Sequence, residues 1–81
     1  MQINVLLFAA AREAAQSDSI QIDVAENASA ADVLAELSHQ IPAIQQLIPS
    51  CRLAVDNCYV ANDAIVGQGQ EVALIPPVSG G

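Results

Sequence analysis

Ser29-Ala30-Ala31-Asp32-Val33-Leu34-Ala35-Glu36-Leu37-Ser38-His39-Gln40 is the stretch of this 81-residue chain that reads as its main helix. Ser29 followed three residues later by Asp32 gives a capping-box-like start, in which each side chain can satisfy a backbone N–H of the other. Ala30, Val33, Leu34, Leu37 and Ile41 recur at helical spacing and form one apolar stripe. Pro42 has no N–H to donate and ends the helix. Residues 43–48 suit one more short helical turn before Pro49-Ser50. His39 lies near the helix C-terminus, where a cation favours the dipole. No second ligand or nucleophile stands beside it, so chemistry at His39 is not expected. A helix with a single apolar stripe must bury that stripe against something, and the segments on either side of it supply strands.

Upstream, residues 3–8, Ile-Asn-Val-Leu-Leu-Phe, read as a first strand. Successive strand residues point to opposite sides, so Ile3, Val5 and Leu7 share one face and Gln2, Asn4, Leu6 and Phe8 the other. Gln2 and Asn4 mark the second face as solvent-facing, which leaves Leu6 and Phe8 pointing outward. Residues 9–15, Ala-Ala-Ala-Arg-Glu-Ala-Ala, have high helix propensity and predict a short first helix, broken by Ser17-Asp18-Ser19. Ile20, Ile22 and Val24 alternate with Gln21 and Asp23, a half-buried second strand paired hairpin-fashion with the first.

Downstream, residues 52–55 and 58–60 flank Asp56-Asn57, a two-residue hairpin turn. In that register Val55 faces Cys58, Ala54 faces Tyr59 and Leu53 faces Val60. Leu53, Val55, Cys58 and Val60 are then expected in the core, with Ala54 and Tyr59 outward. Asn62-Asp63 and Gly67-Gln68-Gly69 are turn-forming stretches around residues 64–66. Residues 71–75 form the last strand, with Val72 and Leu74 on one face. Glu71, Ala73 and Ile75 lie on the other, so Ile75 joins Leu6, Phe8 and Tyr59 as an outward apolar residue.

With 53% hydrophobic residues the chain suits one small domain near the lower size at which a core alone suffices. Nine acidic residues against Arg12 and Arg52, with no lysine, give a formal net charge of −7. Such a surface repels phosphate backbones, so no nucleic-acid binding is expected, and a partner with a basic face is favoured. No run resembles a membrane span of about 20 apolar residues, and the start lacks the basic region of a signal peptide. A soluble cytoplasmic protein that binds no membrane is the expectation. Cys51 and Cys58 have no companion Cys or His set that would hold a metal. Cys51 lies on the order of 13 Å from the position opposite Cys58 at about 3.3 Å per strand residue, too far for a disulfide. Both read as small buried hydrophobes.

The chain closes on Pro76-Pro77-Val78-Ser79-Gly80-Gly81. The prolines end sheet pairing and hold an extended form. The two glycines have no Cβ and can pass through a channel too narrow for a side chain. Residues 1–75 are therefore read as the folded domain and residues 76–81 as an extended Gly-Gly tail. A flexible end without function is the alternative for the tail taken alone.

The order strand, short helix, strand, helix, hairpin, strand implies an α+β roll, with a mixed sheet packed on one main helix and its other face wet. With the ending, this arrangement resembles the β-grasp, ubiquitin-like fold. Three features together resemble the small subunit of molybdopterin synthase, and the likeness runs over the whole chain. They are the Pro-Pro-Val-Ser-Gly-Gly ending, Phe8 followed by Ala11-Arg12-Glu13, and the Gly67-x-Gly69-x-Glu71-Val72 approach to the last strand. The resemblance implies a ubiquitin-like sulfur carrier without catalytic residues or bound cofactor. A ubiquitin-activating-like adenylyltransferase would use ATP to adenylate Gly81, and a sulfur donor would convert it to a thiocarboxylate. The tail, Pro76 to Gly81, would then enter the large subunit of the synthase and give its sulfur to a cyclic pyranopterin precursor of the molybdenum cofactor, in a heterotetrameric complex. Phe8, Tyr59 and Ile75 would form the docking patch, with Arg12 at its rim unless it pairs with Glu13 or Asp18. Tyr59 and Ile75 stand where the family more often has leucine and phenylalanine. Related carriers for thiazole synthesis or tRNA thiolation, a protein modifier, and an interaction domain with an inert tail are the other readings.

Overall fold

Residues 1–77 are described by the computed structural model. The strands are β1 (Gln2–Leu7), β2 (Ser19–Asp23), β3 (Arg52–Val55), β4 (Cys58–Tyr59) and β5 (Val72–Ile75). The helices are α1 (Ala9–Ala15) and α2 (Ala30–Gln40), and two 3-10 turns, Pro42–Ile44 and Ile48–Ser50, follow α2. The strands form one sheet in the order β2-β1-β5-β3-β4. β1 and β5 run parallel, and every other pairing is antiparallel. This is the mixed sheet on one main helix that the sequence implies, the β-grasp architecture.

Helix α2 begins as its sequence dictates. Ser29 Oγ accepts from Asp32 N–H at 3.2 Å, and Asp32 Oδ2 accepts from Ser29 N–H at 3.0 Å. The next free donors, Ala30 N–H and Ala31 N–H, reach the carbonyls of Ala64 and Asn62 at 2.8 and 2.9 Å. The loop before β5 thus closes over the helix N-terminus and satisfies the donors that a helix start leaves open. Val66, fully buried, anchors that loop, and its N–H donates to the Ala28 carbonyl at 2.9 Å. The stretch expected only as turns is therefore a second attachment of the sheet's far half to α2. Two 3-10 turns replace the single turn expected after Pro42, each with a proline in its first positions.

One face of the sheet carries the core. Ile3, Val5 and Leu7 of β1, Ile22 of β2, Leu53 and Val55 of β3, and Val72 and Leu74 of β5 are buried against Ala30, Val33, Leu34 and Leu37 of α2. The parity read from the sequence places all of these correctly. The two cysteines differ from expectation. Cys51 is only half-buried, and Cys58 is exposed, because β4 is an edge strand only two residues long and paired on one side. Its core-facing position runs off the edge of the covered area, and Val60 beyond it is likewise only partly buried. Ala54 points to the open face as expected, yet only 9% of it is exposed. Its larger neighbours there shade so small a side chain.

Left-handed backbone occurs at Ala9, Gln16, Asp56, Asn57 and Gly69. Asp56 and Asn57 have φ of 50° and 69°, so the β3–β4 turn has the both-positive form that matches strand twist. Helix α1 ends on Gln16 at φ 56°, with Ser17 N–H bonded to the Arg12 carbonyl and Gln16 N–H to that of Glu13. That pair of bonds is the Schellman closure, in which glycine is favoured because a Cβ is disfavoured at positive φ. Gln16→Gly should therefore stabilise the domain by about 0.5–1 kcal/mol. Urea denaturation would show this as a higher midpoint at unchanged slope.

Candidate functional site

The face of the sheet turned away from α2 is lined by a single register row. Ser19 of β2 pairs with Leu6 of β1, Leu6 with Ala73 of β5, Ala73 with Ala54 of β3, and Ala54 with Tyr59 of β4. All five side chains share this face, because cross-strand partners point the same way. Small residues in the middle and large ones at the margins make a shallow concavity of about 270 Å³, lined by Phe8, Ala54, Asn57, Tyr59, Glu71, Ala73 and Ile75.

Phe8 and Tyr59 are 45% and 56% exposed, values that neither ring would reach in a core. Phe8 is held by position rather than packing. It caps α1 in extended conformation, and its carbonyl accepts from Ala11 and Arg12 N–H at 3.1 and 3.3 Å. Ile75, half-buried, is the last residue of β5. Pro76 after it is buried and Pro77 exposed. Val78, Ser79, Gly80 and Gly81 lie outside the described residues, so the structure bears on the root of the tail and not on its end.

The structure brings Phe8, Tyr59 and Ile75 to one concavity, as the sequence parity suggests. It does not bring Arg12 there. Arg12 projects from α1, and its Nε lies 3.1 Å from Asp18 Oδ1 in a pair largely open to solvent. An ion pair so exposed contributes little to stability.

Sequence parity put Ala54, Ala73 and Glu71 on this face without giving them a part in it, and it missed Asn57. Ala54 and Ala73 form the floor, and Asn57 and Glu71 the far end. It also missed Arg52, whose guanidinium carbon stands 4.4 Å from the Tyr59 ring centroid. The signal was present, since Arg52 precedes Ala54 by two residues on the same parity and is therefore diagonal to Tyr59. Ile65, 60% exposed, is an outlying apolar residue that the sequence did not flag. It pairs through an isolated bridge with Ser29, away from the open face.

Among the described residues no group of three or more His, Cys, Asp and Glu is placed to hold a metal, and His39 is exposed. No helix is long and apolar enough to cross a membrane among those residues. Burial pushes the Cys51 thiol up in pKa.

The model of the ThiS family matches residues 5–81. The molybdopterin synthase sulfur carrier subunit of Chlamydomonas reinhardtii is 36% identical over 83 residues, covering 100% of both chains. The protein of that name from Arabidopsis thaliana is 33% identical, covering 100% of this chain and 84% of its own. Among solved structures, SAMP1 from Haloferax volcanii, a small archaeal modifier protein, aligns with a TM-score of 0.86 at 28% identity and 100% coverage of each chain.

The contrast between the two cysteines is open to test. The thiolate is the reactive form, so Cys58 should be alkylated by iodoacetamide at least about tenfold faster than Cys51 at mildly alkaline pH. The gap should narrow as pH rises and Cys51 ionises. Peptide mapping of partly alkylated protein would show both effects.

Proposed function

Because this chain belongs to the ThiS family, we propose that it is the sulfur carrier subunit of a molybdopterin synthase. The reading is carried by one observation, the 36% identity over its whole length to a protein of that name. The Gly81 carboxylate, with an ordinary pKa near about 3.5, is ionised at neutral pH and is a poor electrophile. A ubiquitin-activating-like adenylyltransferase joins it to the adenylate of ATP, with loss of pyrophosphate. A sulfur donor displaces the adenylate and leaves a thiocarboxylate at Gly81. That group is a soft nucleophile held on a slim stalk of Pro76, Pro77, Val78, Ser79, Gly80 and Gly81. Inserted into the large subunit, it passes sulfur to a cyclic pyranopterin precursor in the making of the molybdenum cofactor. Two carriers and two large subunits form a heterotetramer, and the work is done in the cytoplasm.

In this division of labour the chain needs no base, metal or cofactor of its own. It needs a stalk, and a face by which partners can grip the body beside the stalk. Phe8, Tyr59 and Ile75 serve as that face, while Arg12 is paired with Asp18 away from it. Aromatic anchors of this kind dominate interface energetics. A formal net charge of −7 suits partners with basic surfaces.

The likeness to an archaeal modifier protein favours a second reading, in which Gly81 is joined to lysines of target proteins. Both readings share the adenylation step and part at the nucleophile that follows.

Intact-mass analysis after incubation with ATP, sulfide and the cognate activating enzyme should show one oxygen of Gly81 replaced by sulfur. An unchanged mass, with the enzyme active on another carrier, would overturn any carrier role. Isopeptide adducts as the main product in cell lysate would favour the modifier reading. Phe8→Ser and Tyr59→Ser should each weaken binding to the large subunit at least about tenfold. Unfolding midpoints should barely move, because neither ring is in the core.

A further inference from the structure

The open face carries opposite charges at its two ends. Glu71 lies at the end nearest the β3–β4 turn, where its carbonyl accepts from Asp56 N–H at 2.8 Å. The Asp56 carboxylate beside it is engaged within the chain, accepting from Glu71 N–H at 2.9 Å and from Gln70 Nε2 at 3.3 Å. At the other end, Arg52 is the cross-strand partner of Ile75, the residue from which the tail departs. Leu6, Ala73, Ala54 and Tyr59 run between the two ends as an apolar band.

Arg52 is placed unusually for a chain with nine carboxylate side chains and two arginines. Among the described residues the ion pairs are Met1 with Asp23 and Arg12 with Asp18. Arg52 is in neither. It is instead held over the Tyr59 ring at 4.4 Å, a contact that restrains the guanidinium without using its N–H donors. A restrained fork of donors loses little rotamer freedom when it meets a planar acceptor.

We propose that Arg52 orients the carrier on the large subunit by meeting a carboxylate at the mouth of the cleft that receives the tail. The inference rests on the functional reading above and adds to it the charge pattern of the partner. That surface is broadly basic but carries an acidic residue opposite Arg52, with a basic group opposite Glu71. The apolar band alone would tolerate a reversed docking, in which the tail points away from the cleft. Reversal sets Arg52 against the basic group and Glu71 against the carboxylate, and like charges brought together at an interface are strongly disfavoured.

The test uses the full chain as wild type, Arg52→Gln and Arg52→Glu, titrated calorimetrically into the cognate large subunit, with thermal unfolding as a control. Long-range attraction to a basic partner predicts tighter binding by the variants. Losing one positive charge takes the formal net charge from −7 to −8, and reversing it takes it to −9. The proposed contact predicts the opposite sign. Arg52→Gln should weaken binding about fivefold and Arg52→Glu at least about tenfold further, the scale of a rim charge pair and of a like-charge clash. Variants that bind as tightly as wild type or tighter would overturn the inference alone. So would equal weakening by both, because the partner would then be reading the shape or stacking of Arg52 and not its charge. Failure of the wild-type chain to bind would overturn the functional reading and this inference with it.

Discussion

The structure depends on the placement of β5 in the middle of the sheet. Val72–Ile75 is hydrogen-bonded to β1 on one side and β3 on the other. Without it the sheet would fall into two separate hairpins, β1 with β2 and β3 with β4. The last strand to be synthesised is therefore the one that joins the two halves. Its partner β1 is far away in sequence, with Val5 opposite Val72, so a long loop must be closed to complete the sheet. The residue from which the tail departs, Ile75, thus ends a strand secured on both sides. The root of the tail is thus held at a central strand and not at a sheet edge, where opening is least costly.

A small domain with one long helix can cover only one face of such a sheet. Helix α2 takes the face of Ile3, Val5, Leu7, Val72 and Leu74, and the loop carrying Val66 pins its N-terminus by two carbonyls. The other face has no second layer among the described residues. It limits the apolar area shown to water by using alanine at its two central positions and by shading them with Phe8 and Tyr59. The result is a concavity instead of a flat apolar sheet. The same economy that leaves the face open gives it the shape that the proposed docking needs.

Much of this was legible in the sequence because it is local. The capping pair Ser29 and Asp32, the alternation through β2 and the Asp56-Asn57 turn each act over a few residues, and each formed where its chemistry places it. The outward parity of Phe8, Tyr59 and Ile75 was also local, and it found the anchors of the face. What escaped depended on neighbours distant in sequence. The exposure of Cys58 follows from β4 being the outermost strand, and strand order is not encoded in alternation. The burial of Val66 follows from its loop bonding to Ala28, and nothing within residues 64–66 announces it. The contact of Arg52 also escaped, because its partner, Tyr59, belongs to another strand.

The lack of lysine fits the proposed chemistry closely. An acyl adenylate is open to any accessible amine, and the amide that results is not readily reversed. A carrier that offers side-chain amines would risk acylating its own copies. This chain has none, and the Met1 amine is bonded to Asp23 Oδ1 at 3.1 Å and to the Val24 carbonyl at 2.8 Å. Among the described residues the exposed thiol is that of Cys58. Capture there would give a thioester, which free sulfide or another thiol can reopen by exchange. Positive charge is therefore supplied by arginine alone, a group that stays protonated and does not attack. Both arginines are held by contacts of their own, one by Asp18 and the other over Tyr59. The residue types of this chain are thus those that the proposed chemistry at Gly81 would favour.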